Sequence, residues 1–218
     1  MPVGLPEFVD NPETRCPVIL LLDTSLSMAG DPIDALNRGI AIFKEDVLRD
    51  TKASLSVEVA IVTFGPIRLR QDFVTIDRFE PPQLIADGGT PIGEAIEYAL
   101  DLLEDRKDTY KNNGIQYYRP WIFLITDGAP TDKWDMAAQR LRAAEARRRL
   151  LFFSVAVEGA NMRTLSQIAS PERPPVKLNG LNFGGLFEWL STSMKRVSTS
   201  KVGEAIALPP VGWGQITT

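Results

Sequence analysis

Three short runs of consecutive apolar residues alternate along the chain with longer segments in which apolar residues recur every three or four positions. The runs are VILLLD (18–23), PWIFLITD (120–127) and LLFFSVAV (150–157). A strand covered by helices on both faces needs apolar side chains on both, so these runs predict buried strands of a parallel sheet. The spacing of the intervening segments predicts amphipathic helices, because it gathers their apolar residues on one face.

Four amphipathic helices follow from that spacing. The first is predicted to begin at Asp31-Pro32 and the second at Thr90-Pro91, with the polar residue as N-cap, because proline is favoured at the first helical position. The third is predicted over 133–149, and the fourth over 183–197. A short helix near 161–168 and a last strand near 176–178 complete the pattern.

Two further strand segments, 54–65 and 67–76, are joined by Gly65-Pro66. So short a link predicts an antiparallel hairpin, with one reversed strand at a sheet edge. The resulting order is typical of an α/β fold: a doubly wound, Rossmann-like, mostly parallel sheet with one antiparallel edge strand and helices on both faces. We expect one domain over residues 1–201, followed by an irregular tail over 202–218 that contains proline and glycine.

Oxygen-bearing side chains stand where the predicted strands end. Asp23, Ser25 and Ser27 follow the first strand at alternate positions, and Asp127 ends the strand of the second run. In a doubly wound sheet these two strands are neighbours, and ligands bind in the crevice at their carboxyl ends. The glycine-rich loop DGGTPIGEA (87–95) is expected to bring Thr90 to the same edge.

These five residues offer oxygen ligands alone, without nitrogen or sulfur. Hard oxygen ligands favour Mg²⁺ or Mn²⁺, disfavour zinc and copper, and fit Ca²⁺ less well when few ligands lie on one rim with an open position. Taken one at a time, each residue also has an ordinary interpretation. Asp23 ends a strand, the serines and Thr90 could cap helices, and Thr-Asp-Gly is a common turn.

Composition narrows the classes of function. The net charge is −4 and the pI is about 5.0, which argues against a nucleic-acid or anionic-membrane surface. The absence of histidine excludes His-based catalytic triads, and one cysteine, Cys16, excludes an internal disulfide and a zinc ribbon. No signal peptide is visible, and no apolar run approaches the roughly 20 residues that span a bilayer. We expect a cytoplasmic protein.

The segments DTSLS (23–27), GGT (88–90) and TDG (126–128) resemble the three-part metal-ion-dependent adhesion site, or MIDAS, of von Willebrand factor A domains. Longer stretches, among them RCPVILLLDTSLSM and YYRPWIFLITDGAPTD, are similar to the stand-alone bacterial members of the tellurium-resistance type. The resemblance maps the family's metal site onto Asp23, Ser25, Ser27, Thr90 and Asp127. Leu26 departs from it, because many relatives carry glycine between the two serines.

The resemblance implies binding and not catalysis. In such domains the two serines, and in some states the threonine, contact the metal, and the aspartates often act through water. The ion is then short of negative charge and open to an anion. A glutamate or aspartate of a partner protein would then fill the open position. The resemblance also implies a stress-response system in which the partner is a protein kinase or a protein phosphatase.

Two other functions are compatible with an aspartate at a strand end. A metal-dependent phosphatase or phosphotransferase of the haloacid-dehalogenase type needs a second aspartate two residues after the first, where this chain has Ser25. The chain also has no Gly-x-Ser-x-Gly elbow and no P-loop. The second alternative is a scaffold that keeps the fold and binds no metal. The presence of all five oxygen ligands speaks against this scaffold, and the resemblance implies a non-enzymatic, metal-dependent protein-binding domain.

Overall fold

In the computed structural model, which describes residues 6–216, the three apolar runs become neighbouring parallel strands at the centre of a seven-stranded sheet. The strands are β1 (Cys16–Asp23), β2 (Val57–Phe64), β3 (Arg68–Thr75), β4 (Trp121–Thr126), β5 (Leu151–Ala156), β6 (Val176–Leu178) and β7 (Gly214–Ile216). Their order is β3-β2-β1-β4-β5-β6-β7, and the pairs β2–β3 and β6–β7 are antiparallel. The predicted doubly wound sheet with an antiparallel edge strand is confirmed.

The described helices are α1 (Pro6–Val9), α2 (Asp31–Leu48), α3 (Thr51–Ser56), α4 (Ile92–Asn112), α5 (Asp135–Ala146), α6 (Met162–Ile168) and α7 (Phe183–Thr199), with 3₁₀ turns at Leu26–Met28 and Ile76–Arg78. Helices α2, α3 and α7 cover one face of the sheet, and α4, α5 and α6 cover the other. Successive residues of a strand point to opposite faces, so Phe123 packs in the first core and Leu124 in the second.

Several element boundaries differ from the prediction, among them the starts of β2 and α2, because a local pattern marks the ends of elements less sharply than their interiors. Residues 54–56, predicted as the start of a strand, belong to α3, whose N-cap Asp50 accepts a hydrogen bond from the backbone N–H of Ala53 at 2.9 Å. Helix α2 begins at Asp31 itself, with Gly30 as N-cap at a φ of 81°. Glycine adopts this left-handed backbone conformation without steric cost.

The C-terminal segment also differs from the irregular tail that the sequence predicts. Its last described residues, Gly214–Ile216, pair with β6 as strand β7, and Trp213 is buried before them. Regular structure continues beyond residue 201 because this segment pairs with the edge of β6 and places the Trp213 indole in the hydrophobic core. Residues 1–5 and 217–218 lie outside the described structure. Across residues 6–216, no helix combines the length and hydrophobicity that a membrane span requires.

Candidate metal centre

Strand β1 delivers Asp23 to the carboxyl edge of the sheet, and the backbone then turns into the 3₁₀ segment Leu26–Met28. The Asp23 carboxylate is fully buried. Its Oδ1 accepts a hydrogen bond from the backbone N–H of Ser25 at 2.8 Å, and its Oδ2 accepts one from the Thr126 hydroxyl at 2.5 Å. Asp23 therefore shapes its own loop and ties it to the end of the neighbouring strand β4.

The surroundings of Asp23 change its acidity in opposite directions. Burial raises the pKa of the Asp23 carboxyl above its ordinary value, hydrogen bonds from Ser25 and Thr126 lower it, and the nearby Asp127 charge raises it. The net pKa shift is upward. Since a nearby cation favours the ionised form of a carboxyl group, a metal ion at this edge would oppose that shift.

Ser25, Ser27 and Asp127 form a continuous chain of oxygens. The Ser27 hydroxyl donates to Oδ1 of Asp127 at 2.7 Å, and the Ser25 and Ser27 Oγ atoms lie 3.0 Å apart. Ser25 and Asp127 are buried, whereas Ser27 is exposed. The group is therefore packed against the sheet on one side and open to solvent at Ser27.

Thr90 lies against the same loop. A Cβ atom added at Gly128, the residue after Asp127, would stand 3.1 Å from the Thr90 hydroxyl oxygen. The backbone N–H of Thr90 donates to Oγ1 of Thr131 at 3.2 Å, and the N–H of Thr131 donates to the Thr90 carbonyl at 3.0 Å. Thr90 is buried, and its hydroxyl makes no hydrogen bond to another described residue. That hydroxyl is thus free to face a ligand.

The alternative interpretation of Thr90 as a helix cap is wrong. Helix α4 begins at Ile92 with Pro91 as N-cap, so Thr90 precedes the cap. The first helical N–H groups are instead capped by Asp132, which accepts from Gly93 at 3.1 Å and from Glu94 at 2.7 Å. Because an N-cap needs a side-chain oxygen and proline has none, the fold recruits a carboxylate from the loop after β4.

The glycine-rich loop is held against the first loop by backbone hydrogen bonds. The N–H of Leu26 donates to the Gly88 carbonyl at 3.1 Å, and the N–H of Asp87 donates to the Thr24 carbonyl at 2.5 Å. Gly88 has a φ of 72°, and a Cβ there would lie 2.0 Å from the Gly65 carbonyl oxygen, so this position excludes any side chain. Leu26 has no positive φ and accommodates the departure from glycine without strain.

Two separations among these oxygens are close to the edge length of an octahedral Mg²⁺ site. Ligands lie roughly 2.0–2.1 Å from Mg²⁺, which places neighbouring octahedral oxygens about 2.9 Å apart. The separations Ser25–Ser27 and Ser27–Asp127 are 3.0 and 2.7 Å. Both Asp23 oxygens already accept hydrogen bonds, so Asp23 fits a role in which it supports the serine loop and acts on a metal through water. The three hydroxyls and Asp127 would hold the ion.

Carboxylates alone do not build this site. Across residues 6–216, no three acidic, cysteine or histidine side chains cluster in a way that could hold a metal ion. Metal binding at this edge would therefore depend on the hydroxyls. Three further residues orient the loops and were not predicted as members of the site: Thr126, Thr131 and Asp132. The second Thr-Asp pair of TDGAPTD (126–132) was a visible signal for the last two.

A separate cleft of about 1180 Å³ opens at the amino ends of β4 and β5, the edge opposite the candidate metal centre. Its wall carries charges of both signs, including Arg119, Glu145 and Arg173. Arg119 donates to the backbone carbonyls of Leu150 and Glu145, and Arg173 pairs with Glu145 at 3.1 Å. These charged groups stabilise the amino-end edge and take no part in the metal centre.

The family model described as von Willebrand factor type A domain matches residues 18–183, a segment that holds all five candidate residues. No curated protein matches the chain. Among solved structures, the proximal thread matrix protein 1 of the mussel byssus with a zinc-occupied MIDAS motif has a TM-score of 0.57 and 17% identity. The match covers 84% of this chain and 48% of that chain.

Two further structures share the fold. The pilus adhesin SpaC from Lactobacillus rhamnosus GG, in its open conformation, matches with a TM-score of 0.68 and 12% identity over 86% of this chain and 31% of that chain. The SpRpn10 VWA domain matches with a TM-score of 0.55 and 13% identity over 79% of this chain and 95% of that chain. The chain spans about half the length of the mussel protein. At these identities the likeness is one of fold.

Proposed function

Because this chain belongs to the von Willebrand factor type A domain family, we propose that it is a metal-dependent protein-binding module and not an enzyme. The observation that carries the proposal is the chain of oxygens from Ser25 through Ser27 to Asp127, with Thr90 beside it and solvent access at Ser27. A divalent cation held there would supply an electrophilic centre for a carboxylate of a partner protein.

The residues of the centre have two roles: some would bind the ion, and others position the loops. Ser25, Ser27 and Thr90 offer neutral hydroxyls, and Asp127 offers a carboxylate. Both carboxylate oxygens of Asp23 accept hydrogen bonds, one from Ser25 and one from Thr126, so Asp23 orients the first loop. With few negative ligands in direct contact, a bound ion keeps affinity for an additional anion. An acidic side chain of the partner is the group that this arrangement favours.

We propose Mg²⁺ as the physiological ion, with Mn²⁺ as a substitute and Ca²⁺ as a weaker fit. The donor set supports this choice, since all of its members offer hard oxygens and the Ser25–Ser27 and Ser27–Asp127 separations are close to an octahedral edge. The mussel protein carries zinc in its MIDAS motif. Zinc therefore belongs in the competition experiment.

The proposal also covers the pathway in which the chain acts. We propose that the chain acts in the cytoplasm in a stress-response system of the tellurium-resistance type, with a protein kinase or a protein phosphatase as partner. The support is the similarity of the sequence stretches quoted above. An acidic surface segment on such an enzyme would be the group that the metal binds.

The first test is calorimetric titration of the metal-free protein with Mg²⁺, Mn²⁺, Ca²⁺ and Zn²⁺. We expect one site that binds Mg²⁺ and Mn²⁺ more tightly than Ca²⁺, and that is lost in Asp127→Asn. Asp135→Asn is the matched control, because Asp135 is an exposed carboxylate in the first turn of α5 at the same edge. Absence of any metal binding would support the metal-free scaffold instead.

The second test is capture of partners from native lysate with Mg²⁺ and with chelator, followed by mass spectrometry. A partner retained with Mg²⁺ by the wild type, and by Asp135→Asn but not by Asp127→Asn, supports the proposal. Turnover of an aryl phosphate that depends on Asp23 would contradict it and favour the phosphatase. Capture of the same partner in equal amounts with chelator would show that the interaction does not need the metal, and would contradict the proposal.

A further inference from the structure

Three large apolar side chains are highly exposed at the carboxyl edge of the sheet, the edge that carries the candidate metal centre. The four most exposed large apolar side chains of the described residues are Ile85, Met136, Val9 and Leu26, at 76, 74, 66 and 66%. Three of these four lie on the chain segments that follow β1, precede α4 and follow β4 at this edge. Leu26 stands between the two serines, Ile85 precedes the glycine-rich loop, and Met136 is in the first turn of α5.

Single exposed apolar residues are ordinary on protein surfaces. These three differ because each projects from backbone that is held in place. The backbone N–H of Leu26 donates to the Gly88 carbonyl, and the side chain of Met28, two residues later, is buried. A side chain presented from an ordered loop loses little conformational entropy when a partner covers it.

Ile85 and Met136 are presented in the same manner. The Asn37 side chain makes two hydrogen bonds to the backbone of Leu84, at 2.9 and 3.0 Å, and Leu84 is buried while Ile85 points outward. Met136 precedes the buried pair Ala137 and Ala138, which anchor the start of α5. Its thioether can adapt to apolar groups of different shape.

The charges next to this surface indicate the same kind of partner. Arg68 and Arg70 line a small recess together with Ile85 and Asp87. The Arg68 guanidinium is 3.7 Å from the Asp87 carboxylate, and both groups are more than half exposed, so this ion pair is loose. An incoming acidic segment can therefore compete for the Arg68 guanidinium.

We propose that Leu26, Ile85 and Met136 form an apolar rim that selects the partner, and that its occupant is a protein segment with an aspartate or glutamate flanked by large aliphatic or aromatic side chains. The inference rests on the proposed function, since the carboxylate is placed by the metal. The metal would bind the acidic side chain of the partner, and the rim would distinguish among acidic segments by their flanking side chains. Substituting one rim residue by serine weakens binding by about tenfold.

The test selects displayed peptides on the Mg²⁺-loaded protein. One library of short peptides carries a central glutamate with random flanking residues, and a second library carries glutamine instead. The wild type is expected to enrich leucine, isoleucine, phenylalanine or methionine beside the glutamate. The variants Leu26→Ser, Ile85→Ser and Met136→Ser, and the triple variant, should bind Mg²⁺ as the wild type does but lose this apolar preference.

Val9→Ser is the matched control, because Val9 is as exposed as Leu26 but lies on α1, next to the amino ends of the strands. It should select the same peptides as the wild type. Two outcomes would contradict the rim but leave the proposed function intact. One is chelator-sensitive selection of glutamate without apolar neighbours, and the other is unchanged peptide selection by the triple variant. Selection that ignores both the chelator and the change to glutamine would overturn the proposed function, and the rim with it.

Discussion

Asp23 and Asp127 are the two charged side chains of the candidate metal centre, yet they have different surroundings. Asp23 is fully buried with two hydrogen-bond donors, whereas Asp127 accepts from the exposed Ser27. We predict that Asp23→Ala and Asp127→Ala both abolish Mg²⁺ binding, the first because the serine loop loses its support and the second because the ion loses a carboxylate. Calorimetry showing unchanged Mg²⁺ affinity in Asp23→Ala would contradict the site assignment.

The same two variants should differ in stability when chelator is present. Asp23→Ala leaves the Thr126 hydroxyl and the Ser25 N–H without their acceptor, so we expect a loss of about 1–3 kcal/mol in the free energy of unfolding. Asp127→Ala removes a like charge near Asp23 and should change stability much less. Denaturant titration of both variants measures the difference. Equal losses would mean that the Asp23 hydrogen bonds contribute little.

Cys16, at the start of β1, is buried at 2% exposure. Burial raises the pKa of its thiol, and the nearby Glu58 charge raises it further. Because the thiolate is the reactive form, we predict that native protein does not react with a thiol reagent at neutral pH and that denatured protein reacts fully. Rapid native labelling at the denatured rate would show that the amino end of β1 opens.

At the scale of elements, helix α4 depends on a cap from another part of the chain. Asp132 accepts the N–H groups of Gly93 and Glu94, while Thr90 only precedes the helix. We predict that Asp132→Ala costs about 1 kcal/mol of stability. Thr90→Ala should leave α4 intact but weaken Mg²⁺ binding, and Thr90→Ser should restore it. A large stability loss in Thr90→Ala with unchanged metal affinity would contradict this division.

Strand β4 is covered on both faces, which a pair of adjacent substitutions can test. Phe123 stacks on Phe153 at 4.7 Å between ring centroids on one face, and Leu124 is fully buried on the other. We predict that Phe123→Ala and Leu124→Ala each cost about 2–5 kcal/mol. Leu48→Ala, at a position 41% exposed in α2, is the control. One mild and one severe loss would indicate a half-exposed strand.

At the scale of the whole molecule, the C-terminal segment closes one end of the fold. Trp213 is 4% exposed and packs edge-on against Trp189 at 6.0 Å, and the Trp189 indole N–H donates to the Pro209 carbonyl at 2.8 Å. We predict that Trp213→Ala costs about 3–5 kcal/mol. Trp213→Phe should cost much less, because the Trp213 indole N–H has no hydrogen-bond partner among the described residues.

Denaturation midpoints of these variants decide the role of the segment. Val211→Ala is the control, since Val211 lies in the same segment but is 36% exposed. A Trp213→Ala variant as stable as this control would mean that the segment is a loose appendage, as an irregular tail over 202–218 would be. The outcome bears on where a minimal domain ends.

The sequence by itself determined the features that depend on neighbouring residues and on strand ends. Apolar runs predicted β1, β4 and β5, and the Gly65-Pro66 link predicted the β2–β3 hairpin. Because β1 and β4 are parallel neighbours, their ends had to bring Asp23 and Asp127 to one edge. Periodicity and strand polarity are local properties, so they could be read without the tertiary structure.

The tertiary structure alone decided which distant groups meet. Asp132 caps a helix 39 residues away, and Thr126 donates to Asp23 across 103 residues. At the amino-end edge, the buried Arg15 pairs with Glu58 at 2.8 Å, and Arg106 and Tyr110 donate to the same carboxylate. Buried polar groups must find partners within the fold, and any carboxylate that packing brings near can serve. Such choices follow from three-dimensional proximity, which the order of residues does not encode locally.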